Sequence, residues 1–103
     1  MAAKRVLRGE CFHLHYRCAT GQEGARLGLM VPKRLARAAS LRNAIKRQGR
    51  EAFRLMGIDV LPCDLVLRLA RPVKDARAGD RLQRVIWRAE IESLLRRLPT
   101  LSQ

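Results

Sequence analysis

The chain has 103 residues, 48% of them hydrophobic, which fits one folded domain with a modest core and excludes a disordered chain. Its 22 Lys and Arg against 9 Asp and Glu give a net charge of +13, a self-repelling balance that favours a polyanionic partner such as nucleic acid. Arg or Asp interrupts every Leu-rich stretch before it reaches the roughly 18 to 20 residues that span a bilayer, so an integral membrane role is excluded.

The first predicted strand runs from Glu10 to Cys18, where residues alternate and one parity carries Phe12 and Leu14. A polar stretch with two glycines follows. Alternation resumes from Arg26 to Val31, which predicts a second strand, and a hairpin is the simplest connection between the two strands.

A basic connection and a helix are predicted next. Pro32 cannot donate to a strand ladder, so the second strand ends before it and Lys33 to Ala39 forms a basic connection. From Leu41 to Met56 the apolar residues recur at a period of 3.6, which predicts a helix with Gly57 as its stop.

A third strand is predicted from Asp64 to Ala70, and a last helix from Asp80 to Leu98. The apolar residues of that helix lie on two opposite faces, so either it is buried on both sides or it begins later than Asp80. The element order predicts one α/β domain over residues 1–103, an α+β two-layer sandwich. A small mixed sheet is covered by helices, and the basic helix lies in a β-α-β unit.

The first predicted helix carries a cationic face opposite its apolar stripe. Steps of 100° per residue place six residues on that face: Arg42, Asn43, Lys46, Arg47, Arg50 and Arg54. Between Arg26 and Arg54 there are nine Lys or Arg and one acid, whereas a merely solvated helix face interleaves both signs. The clustering therefore predicts a surface that follows consecutive phosphates of a nucleic acid.

The literal sequence from Arg42 to Arg54, RNAIKRQGREAFR, resembles the R-N-x-x-K-R-x-x-R-E-x-F-R signature of the bacterial ribonuclease P protein family. The segment from Arg26 to Arg34 resembles that family's R-x-G-L-x-V-x-K-K/R strand. The segment from Asp64 to Pro72 resembles its D-x-V-x-x-x-R-P strand. The resemblance covers about Glu10 to Leu98, nearly the whole chain.

The resemblance implies a protein subunit of ribonuclease P, the cytoplasmic ribonucleoprotein endoribonuclease that matures the 5′ end of tRNA. Its partners are the catalytic RNA subunit and precursor tRNA, and no obligate protein partner is expected. The RNA mainly holds the Mg²⁺ ions and performs hydrolysis, so the protein alone is expected to bind no metal and carry no catalytic residue. A left-handed β-α-β crossover is also implied. The alternatives are a non-catalytic structured-RNA binder such as a ribosomal protein, and a DNA-binding helix in the major groove.

The resemblance also assigns contacts. It implies that seven residues touch the RNA subunit: Lys33, Arg34, Arg42, Asn43, Lys46, Arg47 and Arg50. Arg37 and Arg54 complete the predicted RNA-binding set because they belong to the same basic connection and helix face. The family normally begins with a further helix that forms one wall of a cleft for the 5′ leader of precursor tRNA. This chain has only residues 1–9 there, so a short or truncated segment is expected.

The opposite wall of that cleft is the sheet, where Phe12, Leu14 and Tyr16 share a parity. Exposed aromatic side chains stack on unpaired bases, so these residues are predicted to bind the leader. The alternative is that they belong to the core, which is favoured for Leu14.

The chain carries few signs of independent chemistry. Four candidate zinc ligands lie close in sequence, Cys11, His13, His15 and Cys18, but Cys18 has the opposite strand parity, so a zinc site is not expected. The three cysteines form no C-x-x-C pair and are expected to be reduced. The carboxylates Asp59, Asp64, Asp75 and Asp80 are scattered, which argues against a two-metal nuclease site.

Overall fold

The computed structural model describes residues 5–18, 21, 24–58, 62–73, 77 and 79–99. Six elements follow one another: β1 (Arg5–Arg8), β2 (Phe12–Cys18), β3 (Arg26–Met30), α1 (Ala39–Leu55), β4 (Cys63–Leu69) and α2 (Arg81–Arg96). The strands form one mixed sheet in the order β1-β2-β4-β3, and both helices pack on the same face of it. This architecture confirms the predicted α+β class. Asp59, Asp75 and residues 1–4 of the predicted short N-terminal segment lie outside the described residues.

The predicted hairpin between the first two predicted strands, which are β2 and β3 of the structure, is wrong, because β4 lies between them. β4 pairs antiparallel with β2, with Phe12 opposite Leu69, and parallel with β3, with Leu29 opposite Leu67. A parallel pair needs a crossover, and α1 provides it, so the predicted β-α-β unit is confirmed. The central position of β4 buries the side chains of its alternate residues, Leu65, Leu67 and Leu69.

The edge strand β1 was not predicted from the sequence. It pairs antiparallel with β2, from Arg5 opposite Tyr16 to Arg8 opposite His13. Its four residues, RVLR, place two apolar residues side by side, so they show no alternation that would indicate a strand. The connection to β2 closes with a hydrogen bond of 2.8 Å from the amide of Gly9 to the carbonyl of Phe12.

The turn between β1 and β2 is fastened to α2 by one carboxylate. Glu90 Oε2 accepts hydrogen bonds from the backbone amides of Cys11, at 2.8 Å, and Phe12, at 2.6 Å. A Cβ atom at Gly9 would lie 2.6 Å from the same oxygen, so a glycine is needed at this close approach. The carboxylate thus satisfies two backbone donors and joins the helix layer to the sheet.

The core lies between the sheet and the helices, with Phe12, Leu14 and Trp87 among its fully buried side chains. Gly49 allows α1 to approach the sheet closely. A Cβ atom there would lie 2.8 Å from Leu29 Cδ2 and 3.0 Å from Leu67 Cδ2. Gly49 therefore helps to set the distance between α1 and the sheet.

Helix ends follow the predicted signals. α1 ends at Leu55, and Gly57 has a left-handed φ of 69°, which confirms it as the stop. The side chain of Asp80 caps α2 by accepting a hydrogen bond of 3.1 Å from the amide of Gln83.

The two explanations offered for the two-faced apolar pattern of α2 are both wrong. The helix begins at Arg81, as its sequence suggested, yet only one of its apolar faces is buried. Leu82, Val85 and Ile86 on the other face are 70%, 59% and 49% exposed.

Within the described part of the chain, neither helix is long and apolar enough to cross a membrane.

Two of the three cysteines form a disulfide, so the expectation of three reduced thiols is wrong. Cys18 and Cys63 are direct partners in the β2–β4 register, with Cα atoms 3.9 Å apart. They are 45 residues apart in sequence, so no local sequence motif predicts the disulfide. Cys11 is a free thiol whose pKa is raised, mainly by burial and then by the nearby carboxylate of Glu90.

Candidate nucleic-acid interface

The cationic side of α1 faces away from the core. Leu41, Ile45 and Ala52 are buried against the sheet layer. On the opposite side lies the basic face, which we define as Asn43, Lys46, Arg47, Arg50 and Arg54; Lys46 is half-buried and the other four are exposed. The structure therefore brings five of the predicted RNA-binding residues onto one surface.

The basic connection between β3 and α1 adds three more of the predicted residues, Lys33, Arg34 and Arg37, all exposed. Leu35 and Ala36 anchor the connection because both are buried, and their amides donate to the carbonyl of Pro32 at 3.0 and 3.1 Å. The exposed cations are thus held on a fixed turn.

Arg42 has a different environment from the other predicted contacts. Its Nη1 donates to the backbone carbonyls of Ala36, at 2.9 Å, and Arg37, at 2.6 Å. Arg42 therefore joins the start of α1 to the basic connection and is half-buried. Its contact with RNA stays a prediction, while its structural contact is with the turn that carries Arg37.

One acid fixes part of the basic face. Glu51 accepts a hydrogen bond of 3.2 Å from Arg47 Nε and forms a close ion pair with Arg88 of α2. Arg88 also donates from Nε to the buried amide of Gln48, at 3.0 Å. The hydrogen bond from Arg47 is the main cause of the lowered pKa of Glu51, and Arg88 adds to it. Glu51 is thus charged at neutral pH and orients Arg47, a link to α2 that sequence spacing could not reveal.

The sheet has a second face, which the helices do not cover. We define the open face by six outward side chains of β2, β3 and β4: His13, His15, Arg17, Met30, Val66 and Arg68. Val6 and Arg8 of β1 lie on the same side, because they pair with His15 and His13. Arg68 Nη2 lies 3.0 Å from His13 Nδ1, and its Nε donates to His15 Nε2 at 3.4 Å. The pKa of His13 is lowered, mainly by burial and then by the charge of Arg68, so the neutral imidazole is favoured.

A shallow cavity of about 360 Å³ lies on this open face. Arg17, Met30, Val66 and Arg68 contribute to its lining, together with Asp64, whose carboxylate pairs with Arg26. Apart from this paired acid the lining is cationic, apolar and aromatic, which suits contact with both the phosphates and the bases of a single strand.

The structure corrects the predicted leader-binding residues. Phe12 and Leu14 are 1% and 0% exposed and lie in the core beneath the helices, so the predicted exposed stack is wrong for Phe12. Tyr16 has the same parity as Phe12 and is half-buried against the core, although it also lines part of the cavity on the open face. The large apolar side chains of β2 are buried because both helices pack on their side of the sheet, which leaves His13 and His15 on the other side.

Asp64 and Asp80, the two described members of the scattered aspartate set, have structural partners. Asp64 forms an ion pair of 3.0 Å with Arg26, and Asp80 caps α2. Over the residues that the structure describes, no three His, Cys, Asp or Glu side chains gather as they would around a metal ion. The arrangement offers surfaces for binding a polyanion.

Comparison with known proteins identifies similar chains. The family model described as Ribonuclease P matches residues 1–98. The ribonuclease P protein component of Azoarcus sp. (strain BH72) is 49% identical over 76 residues, which cover 73% of this chain and 62% of that protein. The curated relatives from Azoarcus, Aromatoleum aromaticum and Bordetella petrii are matched over 62%, 62% and 59% of their own length.

Solved structures share the fold. The RNase P protein from Thermotoga maritima is 28% identical, with a TM-score of 0.73 that covers 94% of this chain and 86% of that one. The RNase P protein of Staphylococcus aureus is 26% identical, with a TM-score of 0.72 and coverage of 90% and 79%.

Proposed function

The chain belongs to the ribonuclease P protein family, and we propose that it acts as the protein subunit of that endoribonuclease by binding the catalytic RNA through α1. The observation that carries the proposal is the basic face together with the basic connection. Among the described residues, Lys46, Arg50 and Arg54 have no acidic partner. Arg47 alone on this face is paired, and with Glu51.

The charge arrangement stabilises a complex more than it stabilises the free protein. Lys46 and Arg50 are like charges four residues apart, a pair that destabilises an isolated helix by roughly 0.2 to 0.5 kcal/mol. A phosphate backbone along α1 would remove this repulsion and release its own counterions. The same surface therefore favours binding of a polyanion and predicts a strong dependence of the affinity on salt.

The open face is the proposed site for the 5′ leader of precursor tRNA. Arg17 and Arg68 supply positive charge, His13 and His15 supply ring surfaces, and Met30 and Val66 supply apolar contact. Unpaired nucleotides need this combination, because their bases are free to stack while their phosphates are held electrostatically. The proposed leader site therefore lies on the face of the sheet that carries His13, and not on the face that carries Phe12.

The protein's proposed contribution to cleavage is binding and orientation. The basic face screens repulsion between the catalytic RNA and its substrate, and the open face positions the leader. Mg²⁺ held by the RNA subunit would supply the activated water for hydrolysis. Asp64 pairs with Arg26 and Asp80 caps α2, so these carboxylates are occupied by protein groups. This supports the proposal that the protein alone does not cleave RNA.

Substitution of the basic face tests the RNA dock. Arg47→Ala and Arg50→Ala are each expected to weaken binding to the catalytic RNA and to reduce the slope of log affinity against log salt by about one. The measurement is the dissociation constant over a range of salt concentrations. Arg96→Ala, in the last turn of α2, is the matched loss of one exposed charge away from this face and should leave the slope nearly unchanged.

Other classes of binder give different results. A structured-RNA-binding protein of another kind would bind RNA with the same salt dependence but leave precursor-tRNA cleavage unchanged. A major-groove DNA binder would prefer duplex DNA over structured RNA in competition at fixed salt, whereas we expect the RNA to win.

A further inference from the structure

A groove runs between the two helices, on the side of α1 that adjoins the basic face. One cavity of about 540 Å³ is lined from α1 by Asn43, Arg47 and Gln48, and from α2 by Arg84. A second cavity of about 420 Å³ continues along α2, and Gln48 and Arg84 line both. We call the two cavities together the interhelix groove. Arg84 lies where they meet.

Arg84 lies at the centre of this groove and has no ion pair among the residues that the structure describes. Its Nε is fully covered yet has no hydrogen-bond partner, and the described residues give its guanidinium no ion pair. A covered donor without an acceptor is unfavourable, so a turn of the guanidinium that brings Nε to a ligand oxygen in the groove gains more free energy than the same contact at a solvated arginine.

The acids of the groove are already engaged elsewhere. Glu51 pairs with Arg47 and Arg88. Glu92 lies 4.0 Å from Arg88 and 3.6 Å from Arg96. Both carboxylates are therefore neutralised by other arginines, and the charge of Arg84 is left available to an anion that enters the groove.

We propose that the interhelix groove binds a backbone phosphate of the catalytic RNA, with Arg84 as its principal ligand. The inference rests on the proposed function and extends the RNA contact surface from α1 onto the first half of α2. Asn43 and Arg47 belong to both the basic face and the groove, so one RNA strand can pass from one to the other. Arg81 adds a further cation, and Val85 offers an apolar wall to a ribose.

A phosphate suits this site better than a carboxylate. The guanidinium of arginine presents a fork of donors that matches two oxygens of a phosphate, and Asn43 and Ser40 can donate to further oxygens. The neighbouring basic face would hold the same RNA backbone where it passes from the groove onto α1.

Two substitutions of Arg84 test the proposal with the full-length protein and its cognate catalytic RNA. Arg84→Met removes the charge and the donors but keeps an apolar stem, and it is expected to weaken binding about tenfold and lower the salt slope by about one. Arg84→Lys keeps the charge, so the slope should stay close to that of the wild type while part of the affinity is lost with the fork.

Stability and charge controls separate a ligand from a structural residue. Because Arg84 Nε has no partner in the protein, Arg84→Met should leave the denaturant midpoint of unfolding unchanged or raised. Arg97→Met removes an exposed charge at the C-cap of the same helix, about 20 Å from Arg84, and should affect RNA affinity little.

RNA affinities of the wild type and the variants distinguish a wrong assignment of the groove from a wrong proposed function. If the wild type and Arg47→Ala behave as expected but Arg84→Met binds RNA no more weakly than Arg97→Met, the groove does not hold the RNA. If Arg84→Met changes only the affinity of the assembled ribonucleoprotein for precursor tRNA, the phosphate belongs to the substrate and the proposal is overturned. If the wild type does not bind the catalytic RNA at all, the proposed function itself fails.

Discussion

Phe12→Ala is expected to lower the free energy of unfolding by about 3 to 5 kcal/mol. Phe12 is 1% exposed in the layer between the sheet and the helices, so truncating it leaves a cavity in the core. A domain of this size has a total stability of roughly 5 to 15 kcal/mol, so the loss is a large part of it. Urea unfolding with the disulfide kept intact in both proteins measures the difference.

The adjacent residue gives the matched control. His13 follows Phe12 in β2 but lies on the open face, so His13→Ala is expected to change the unfolding free energy by less than about 1 kcal/mol. It should instead reduce the affinity of the assembled enzyme for leader-bearing precursor more than for mature tRNA. A Phe12→Ala protein with wild-type stability and a selective loss of leader binding would show that the two residues have been placed on the wrong faces.

Glu90→Ala is expected to lower the unfolding free energy by about 2 to 6 kcal/mol, because two backbone donors lose their acceptor. The substitution leaves the backbone amides of Cys11 and Phe12 without their shared acceptor, and each partly buried donor left unpaired costs about 1 to 3 kcal/mol. The first effect should appear in the β1–β2 turn, where hydrogen exchange of these two amides should accelerate. Glu90→Gln keeps a side-chain oxygen and should lose about half as much. Unchanged protection of both amides in Glu90→Ala would contradict this role for the carboxylate.

Local sequence patterns predicted most of the individual elements. The 3.6-residue period of α1, the alternation in β2 and β4, and the glycine stop at Gly57 are properties of neighbouring residues, and the structure has each of them. The order of the strands depends on pairing between distant segments. The sequence therefore suggested a hairpin, where the structure inserts β4 between β2 and β3. β1 escaped prediction because four residues with adjacent Val6 and Leu7 show no period.

Local sequence patterns predicted one part of the candidate site, the basic face, but not the parts that depend on contacts between distant segments. The basic face follows from spacing along one helix, so its residues could be read directly from the sequence. Alternation in β2 defined two sets of side chains but did not by itself say which set the helices would cover. The burial of Phe12 and Leu14 decides this, because covering the large apolar side chains stabilises the fold more than exposing them to a ligand. The pairing of Arg88 with Glu51, and the isolation of Arg84, arise only when α2 packs beside α1.

The most direct test of the proposed function is cleavage of precursor tRNA by the cognate catalytic RNA at low Mg²⁺, measured with and without the protein. The proposal predicts that the wild-type protein increases the cleavage rate. It also predicts that a protein carrying both Arg47→Ala and Arg50→Ala, with a wild-type unfolding midpoint, increases the rate much less. A wild-type protein that binds the RNA tightly but leaves the rate unchanged would contradict the proposal and identify an RNA-binding protein of another kind.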